Sequence, residues 1–392
     1  VSGERRGILF VHGADEWYGS DVVLYDIVRG LEDTEFDPYV VVPDDVKSEL
    51  PESVRLSGRL RALGIPVIAL PLAVLRRRYM TPSGVVTIAR RLHRSVPAVL
   101  GAVPAKAISL VHTHTATVLT GAGIASELSV PHVWHVSEMV DRPAIVRRAL
   151  ARHIARSADH VIAVSAAVAD HLAGSTPAIR TNCEVIHNAI DPSPFETASG
   201  SAIRARLAIS GPVVGMVGRV GTWKGQEVLL AAAPDILRKH PETIFLFVGG
   251  VLDKRADGVR ALHEMANRLG IAAHVRFMGF EDDIASMIAT MDVVVQPSVR
   301  PEPFGMTVLE AMAAGKPVVA AAHGGMLETV SQNRTGFLVA PGNSAAFGAA
   351  ISVLLDDAAL RARMGQAAKA RIRTDFGRRQ FIAAYLRVYR SM

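Results

Sequence analysis

The chain has 392 residues, 49% hydrophobic and 20% charged, with a formal net charge of +6. The length suits two globular domains, and no apolar run reaches the roughly 18–20 residues that a membrane-spanning helix needs. A single cysteine, Cys183, excludes an intramolecular disulfide and a cysteine-built zinc site, while the positive balance favours anionic partners: nucleotides, nucleic acid or acidic membrane surfaces.

The lone cysteine fits a cytoplasmic, reduced setting, and the first apolar stretch, GILFVH (7–12), is too short for a signal-peptide core and reads as a strand. It is followed by YVVV (39–42), PVIAL (66–70), ISLVHTH (108–114), PHVWHV (131–136), HVIAVS (160–165) and EVIHN (184–188). These runs are rich in Val and Ile and are continuous rather than alternating, which predicts strands buried on both faces of a parallel sheet. HTHT (112–115) puts His112 and His114 on one face of its strand. No third and fourth ligand stands in an obvious motif, so it reads as a strand end, with no metal expected.

After NAIDPSPFETASGSA (188–202), rich in Pro, Ser and Gly, the pattern restarts with PVVGMVG (212–218), IFLFVGG (244–250), HVRFMG (274–279), DVVVQP (292–297), KPVVAA (316–321) and GFLVA (336–340). Stretches at helical spacing, such as GQEVLLAAAPDILRKH (225–240), lie between. The alternation predicts a doubly wound α/β class with two Rossmann-like domains facing across a cleft. The expected divisions are 1–190, 191–375 and a helical tail, 376–392, that crosses back to the first domain. EDD (281–283) reads as an acidic helix start.

Ligands of such sheets sit beyond the carboxyl ends of the strands. That directs attention to Gly13–Gly19, His135, Gly218–Gly225 and Glu302. GMVGRVG (215–221) runs G-x-x-G-x-x-G, which is not the dinucleotide fingerprint. Glu302, between two prolines, follows a strand and precedes a helix that starts near Gly305; helix N-termini attract phosphate. Glu302 and Glu310 over such a start would grip the hydroxyls of a sugar and a ribose. Spacing alone also allows a loop acid complementing the helix dipole and an exposed helical glutamate. Arg219 and Lys224 would neutralise a departing pyrophosphate.

EPFGMTVLEAMAAGKPVVA (302–320) resembles the E-x7-E signature of retaining GT-B glycosyltransferases, glycosyltransferase family 4 in particular. VGRVGTWKGQEVLL (217–230), VIHNAID (185–191), HGGMLETV (323–330) and TGFLVAPGN (335–343) resemble further segments of that family in the same order. The resemblance implies the GT-B fold. It also implies transfer of a sugar, with retention and without metal, from a UDP- or GDP-sugar to a hydroxyl of a glycan, lipid-linked or small-molecule acceptor, with no cofactor besides that donor. It assigns Glu302 and His135 to the transferred sugar, the Phe304, Gly305 and Met306 amides likewise, the Thr307 and Val308 amides to the distal phosphate, Arg219 and Lys224 to the pyrophosphate, and Glu310 to the ribose. Gly19 stands where a glycine pair is usual, with Asp21 in the place of a glutamate, and would offer its amide to donor phosphate or acceptor. Ala189 replaces the usual glycine of the interdomain strand. A sugar-nucleotide epimerase or hydrolase, or a non-catalytic nucleotide-sugar-binding protein, is the competing expectation.

Basic stretches in the first domain, LRRRYM (75–80), ARRLHR (89–94) and IVRRALARHIAR (145–156), suggest either solvated helices or peripheral attachment at the anionic inner face of a membrane. No nucleic-acid partner is expected.

Overall fold

A computed structural model describes residues 5–392 apart from 46, 47, 49, 77, 78, 80, 142 and 251–255. The chain divides into two compact units, one running up to Asn188 and including Arg378–Met392, the other Ala189–Gly377.

The first unit contains β1 (Arg6–His12), β2 (Phe36–Pro43), β3 (Val67–Leu70), β4 (Ile108–His114), β5 (His132–Val136), β6 (His160–Ala163) and β7 (Cys183–Val185). They form one sheet in the order β3-β2-β1-β4-β5-β6-β7, with every neighbouring pair parallel. The second unit contains β8 (Val213–Val217), β9 (Ile244–Val248), β10 (Val275–Phe277), β11 (Val293–Gln296), β12 (Val318–Ala321) and β13 (Gly336–Val339). Their order is β10-β9-β8-β11-β12-β13, again parallel throughout. Each apolar run named above supplies one strand, and the α/β class read from the sequence is the class found.

Burial explains why the runs are continuous. Ile8, Leu9, Phe10 and Val11 are all fully buried, as are Val293, Val294 and Val295. Successive side chains point to opposite faces, and helices cover both. In each sheet the strand order reverses beside the first strand, between β1 and β4 and between β8 and β11. Ligand sites of open α/β sheets form at such reversals.

Helix Arg378–Ser391 belongs to the first unit, where it buries Phe381, Tyr385, Val388 and Tyr389. Arg390 Nε reaches Glu35 Oε1 at 2.6 Å, but the buried apolar and aromatic stripe carries the docking, since exposed ion pairs contribute at most about 1 kcal/mol.

The basic stretch at 145–156 forms helix Ala144–Ser157, whose Leu150, Ala151 and Ile154 are buried within the unit. Arg148, Arg152 and Arg156 are exposed, and so is Ile145. At 75–80, residues 77, 78 and 80 lie outside the described residues. The acidic run at 281–283 ends in Asp283, which caps helix Ile284–Thr290 by accepting a hydrogen bond from the Ser286 amide at 3.0 Å. Among the described residues, no helix is long and apolar enough to cross a membrane.

Candidate functional site

At the reversal of the second sheet, two loops meet beyond the ends of β8 and β11. Residues 218–225 follow β8, and Gln226–Lys239 continues as a helix. Gly225 has φ +85, and a Cβ there would stand 2.0 Å from the Pro297 carbonyl oxygen. Only glycine lets these loops approach so closely. Gln226, at the helix start, donates from Nε2 to the Arg219 carbonyl at 3.0 Å and so fixes the turn that carries Arg219 and Lys224.

Glu302 sits in the second loop and is only 4% exposed. Three donors converge on its Oε1: Lys224 Nζ at 2.8 Å, Gln296 Nε2 at 2.8 Å and Ser298 Oγ at 2.6 Å. Gln296 and Ser298 are buried, and Gln296 Nε2 also donates to Ser298 Oγ at 3.0 Å. A buried carboxylate is tolerable only when met in this way. Its backbone is held as well, since the Gly325 amide donates to the Glu302 carbonyl at 2.8 Å. That bond gives the HGG segment (323–325) a structural purpose. His323 Nε2 lies 2.9 Å from the Ser298 carbonyl. Lys224 Nζ also stands 4.2 Å from the centre of the Trp223 ring, a cation–π contact.

Gly305, at φ +94, precedes helix Met306–Ala313. A Cβ there would meet Met326 Cε at 2.1 Å. First-turn amides of a helix lack intrahelical partners and carry the positive end of its dipole, which leaves Met306 and Thr307 presenting theirs. The Val308 amide donates to the Gly305 carbonyl at 3.0 Å, and Phe304 is buried. Glu302 therefore lies in the loop and Glu310 in the helix, not on one continuous helical face. Glu310 is half-buried, and desolvation pushes its carboxyl up to about 7.

Next to the Gly218–Gln226 loop a cavity of about 270 Å³ opens at the ends of β8 and β9. Gly218, Val220, Gln226, Gly249, His263 and Phe277 are among its lining residues. The His263 and Phe277 rings are 4.5 Å apart. Its lining combines apolar and aromatic side chains, four glycines and the Gln226 side chain. Arg219, Lys224, Glu302, the helix start and this cavity thus lie in one unit.

Gly19 and His135 belong to the other. Gly19 opens helix Gly19–Arg29, and Asp21 in its first turn is buried, accepting from the Tyr18 amide at 3.1 Å and pairing with His12 Nε2 at 3.0 Å. His135, at the end of β5, is wholly buried, with its Nδ1 3.2 Å from the Tyr385 hydroxyl. It packs against His114 with ring centres 4.2 Å apart, and His112 and His12 join the same cluster. Burial holds His135 down to about 3 and His112 and His114 well below the ordinary imidazole range, so these three rings are neutral at pH 7. Register across β4 and β5 thus brings a third imidazole, His135, beside the H-x-H pair.

Sequence reasoning missed Gln296, Ser298, His263 and Phe277. Polar Gln296 and Ser298 directly ending an otherwise apolar strand were the available signal for the first two. The others depend on which strands become neighbours.

Residues 202–371 match the family model "Glycosyl transferases group 1", and residues 17–194 match "Glycosyltransferase Family 4". The chain is 36% identical over 225 residues to a D-inositol 3-phosphate glycosyltransferase of Streptomyces avermitilis, covering 55% of this chain and 48% of that protein. It is 31% identical over 295 residues to glycogen synthase of Mycobacterium tuberculosis, covering 71% and 68%. The chain spans about half to two thirds of the length of the inositol-phosphate glycosyltransferases it matches. Among solved structures, Anabaena HepE in complex with UDP and glucose superposes with a TM-score of 0.84 at 26% identity, covering 98% of this chain and 99% of that one.

Proposed function

The chain belongs to the GT-B glycosyltransferases of the family 4 type, and from that premise we propose that it moves a sugar, with retention of configuration, from a nucleoside-diphosphate sugar to a hydroxyl acceptor. The observation that carries this reading is the convergence of Lys224, Gln296 and Ser298 on buried Glu302, in the same unit as a glycine-led helix start and a cavity of about 270 Å³.

In this reading the base enters the cavity lined by Val220, His263 and Phe277. Glu310 takes the ribose hydroxyls. The Phe304, Gly305 and Met306 amides face the sugar and the Thr307 amide the distal phosphate, while the Val308 amide is taken up by the Gly305 carbonyl at 3.0 Å. Arg219 and Lys224 neutralise the pyrophosphate, as an ion would elsewhere. Lys224 pairs with Glu302 in this structure at 2.8 Å; its flexible stem lets it turn from carboxylate to phosphate when the donor arrives. Glu302, still held by Gln296 and Ser298, then faces the sugar and steadies positive charge growing at the anomeric carbon.

The bond from the anomeric carbon to the phosphate oxygen breaks as the acceptor oxygen forms its own bond on the same face. The acceptor proton passes to the departing phosphate oxygen, so no separate protein base is required. Retention rests on the likeness of the E-x7-E stretch. A UDP-sugar is the first donor to test, because HepE was solved with UDP.

The test is a thermal-shift screen against UDP, GDP, ADP and dTDP, then turnover of the matching nucleotide sugars with and without hydroxyl acceptors. At about 100 times its dissociation constant a ligand stabilises the protein by about 2.7 kcal/mol. Acceptor-dependent release of the diphosphate is expected. Donor consumption independent of acceptor would favour an epimerase or hydrolase, and binding without consumption a non-catalytic protein.

A further inference from the structure

We propose that Glu138, with the hydroxyls of Thr115 and Thr117, forms an acceptor subsite on the first unit and selects an uncharged, polyhydroxylated acceptor, that is, a neutral saccharide. The inference deepens the transferase reading above and rests on it. The residues stand beyond the carboxyl ends of β4 and β5, next to the place where the strand order of the first sheet reverses. Ligands of open α/β sheets collect at such reversals.

Thr115 carries strain. It follows β4 directly and has φ +86, a left-handed conformation that is an outlier for a β-branched residue. Such backbone persists only where its surroundings impose it, and it gathers at functional sites. Hydrogen bonds on every side impose it here. The Thr115 amide donates to the His135 carbonyl at 2.9 Å, and Trp134 Nε1 donates to the Thr115 carbonyl at 3.0 Å. The Ala116 amide donates to Glu138 Oε2 at 2.9 Å, and the Thr115 hydroxyl donates to the same carboxylate. Glycine would hold this turn without strain; what threonine adds is a hydroxyl. That hydroxyl faces the reversal. Thr115 Oγ1 would stand 3.0 Å from a Cβ at Gly13, the residue after β1, and it lies 3.4 Å from the Thr117 hydroxyl.

Glu138 is half-buried, and the donor chemistry makes no use of it. Among the described residues it forms no ion pair, and burial raises its carboxyl above the ordinary value. A carboxylate has about four lone-pair sites. The Ala116 amide, the Ser137 backbone and the Thr115 hydroxyl take up part of them, which leaves room for a further donor. A sugar hydroxyl donates and accepts at once, so one or two of them can give a proton to Glu138 and receive one from Thr117. The nearby Arg76 donates to the Gly13 carbonyl at 3.1 Å, but its charge is matched by Asp45, also 3.1 Å away. With no free cation beside it among the described residues, the Glu138 carboxylate repels a phosphate or carboxylate and accepts a neutral polyol.

The test uses the full chain saturated with the nucleoside diphosphate that the screen selects. Saturation-transfer NMR reads the binding of glucose, maltose and cellobiose, with glucose 6-phosphate as the charged counterpart, and diphosphate release from the matching nucleotide sugar gives acceptor KM and kcat. A neutral saccharide is expected to bind and to accept in preference to glucose 6-phosphate. Glu138→Gln keeps an oxygen for the Ala116 amide but loses the charge, and it should raise acceptor KM about 10–100-fold, with donor affinity by calorimetry unchanged. Thr115→Gly should also raise acceptor KM while its melting temperature stays at or above that of wild type, because the strain is gone. A carboxylate that only clamps the turn predicts unchanged acceptor KM in both variants. Should Glu138→Gln fail to melt cooperatively, Thr115→Gly decides. No binding of any neutral saccharide to the nucleotide-saturated chain, a preference for glucose 6-phosphate, or unchanged acceptor KM in the folded variants overturns the proposal. A wild-type chain that binds no nucleotide removes the transferase reading itself, and the inference falls with it.

Discussion

Donor affinity should rise with pH up to about 7 and then level off, and Glu310→Gln should remove that dependence. In the free protein, desolvation raises the Glu310 carboxyl from 4.5 to about 7. Hydroxyl donors of a ribose favour the ionised form, so a bound nucleotide lowers the pKa and drives proton release. Below about pH 7 the ligand must displace that proton, which weakens binding as pH falls; above it the carboxylate is already charged. A full return to 4.5 in the complex would span about 2.5 pKa units, or about 3.4 kcal/mol. Glu310 is half-buried, and residual water reduces the effect to on the order of 1.4 kcal/mol, about tenfold in affinity. Calorimetry should use a nucleotide sugar, because the terminal phosphate of a free diphosphate titrates near pH 6 itself. Buffers of different ionisation enthalpy then report proton release directly. The same shift predicts that the unliganded protein loses stability as pH climbs from 4.5 towards 7, where the folded state keeps a proton the unfolded chain has released. Affinity that is flat between about pH 5.5 and 7.5, or an equal slope in Glu310→Gln, would refute the reasoning.

Glu302→Gln is expected to lower turnover at least about a hundredfold while leaving calorimetric nucleotide affinity within a few-fold; turnover within about tenfold of wild type sinks the role. If Arg219 and Lys224 supply the countercharge, added manganese or magnesium leaves the initial rate unchanged; activation by more than about tenfold counts against them. Peripheral membrane attachment predicts that the chain sediments with anionic vesicles at low salt and is released at high salt. The exposed arginines 148, 152 and 156 each contribute about 1 kcal/mol near such a surface, and Arg148→Glu with Arg152→Glu should abolish it. A chain that stays in the supernatant at low salt makes a soluble acceptor the better expectation.

The strands were legible because two-faced burial leaves a continuous Val- and Ile-rich signature, as in VVV (293–295). The place of Glu302, in a loop between a strand and a helix start, was legible too, although spacing alone also allowed a loop acid complementing the helix dipole. What holds it was only partly so: Gln296 and Ser298 reach it from the same strand end, six and four residues away, whereas Lys224 reaches it only because β8 lies beside β11, and strand order is absent from any local pattern. The histidine cluster makes the same point. His112 and His114 share a strand and were visible as a pair, whereas His135 joins them through register across two strands. On helix Ala144–Ser157 the apolar stripe was plain, but periodicity does not say what covers it. The fold buries Leu150, Ala151 and Ile154 inside their own unit, leaving the arginines as the face that any membrane would meet.

The most direct test of the central claim is the anomeric configuration of the first-formed product. Proton NMR of an α-linked nucleotide sugar of gluco configuration, incubated with protein and a hydroxyl acceptor, reads the anomeric coupling of the new glycosidic linkage. The account predicts an α-linked product that appears in step with the diphosphate and disappears in Glu302→Gln. A β-linked product, or diphosphate release unaffected by that substitution, would contradict it.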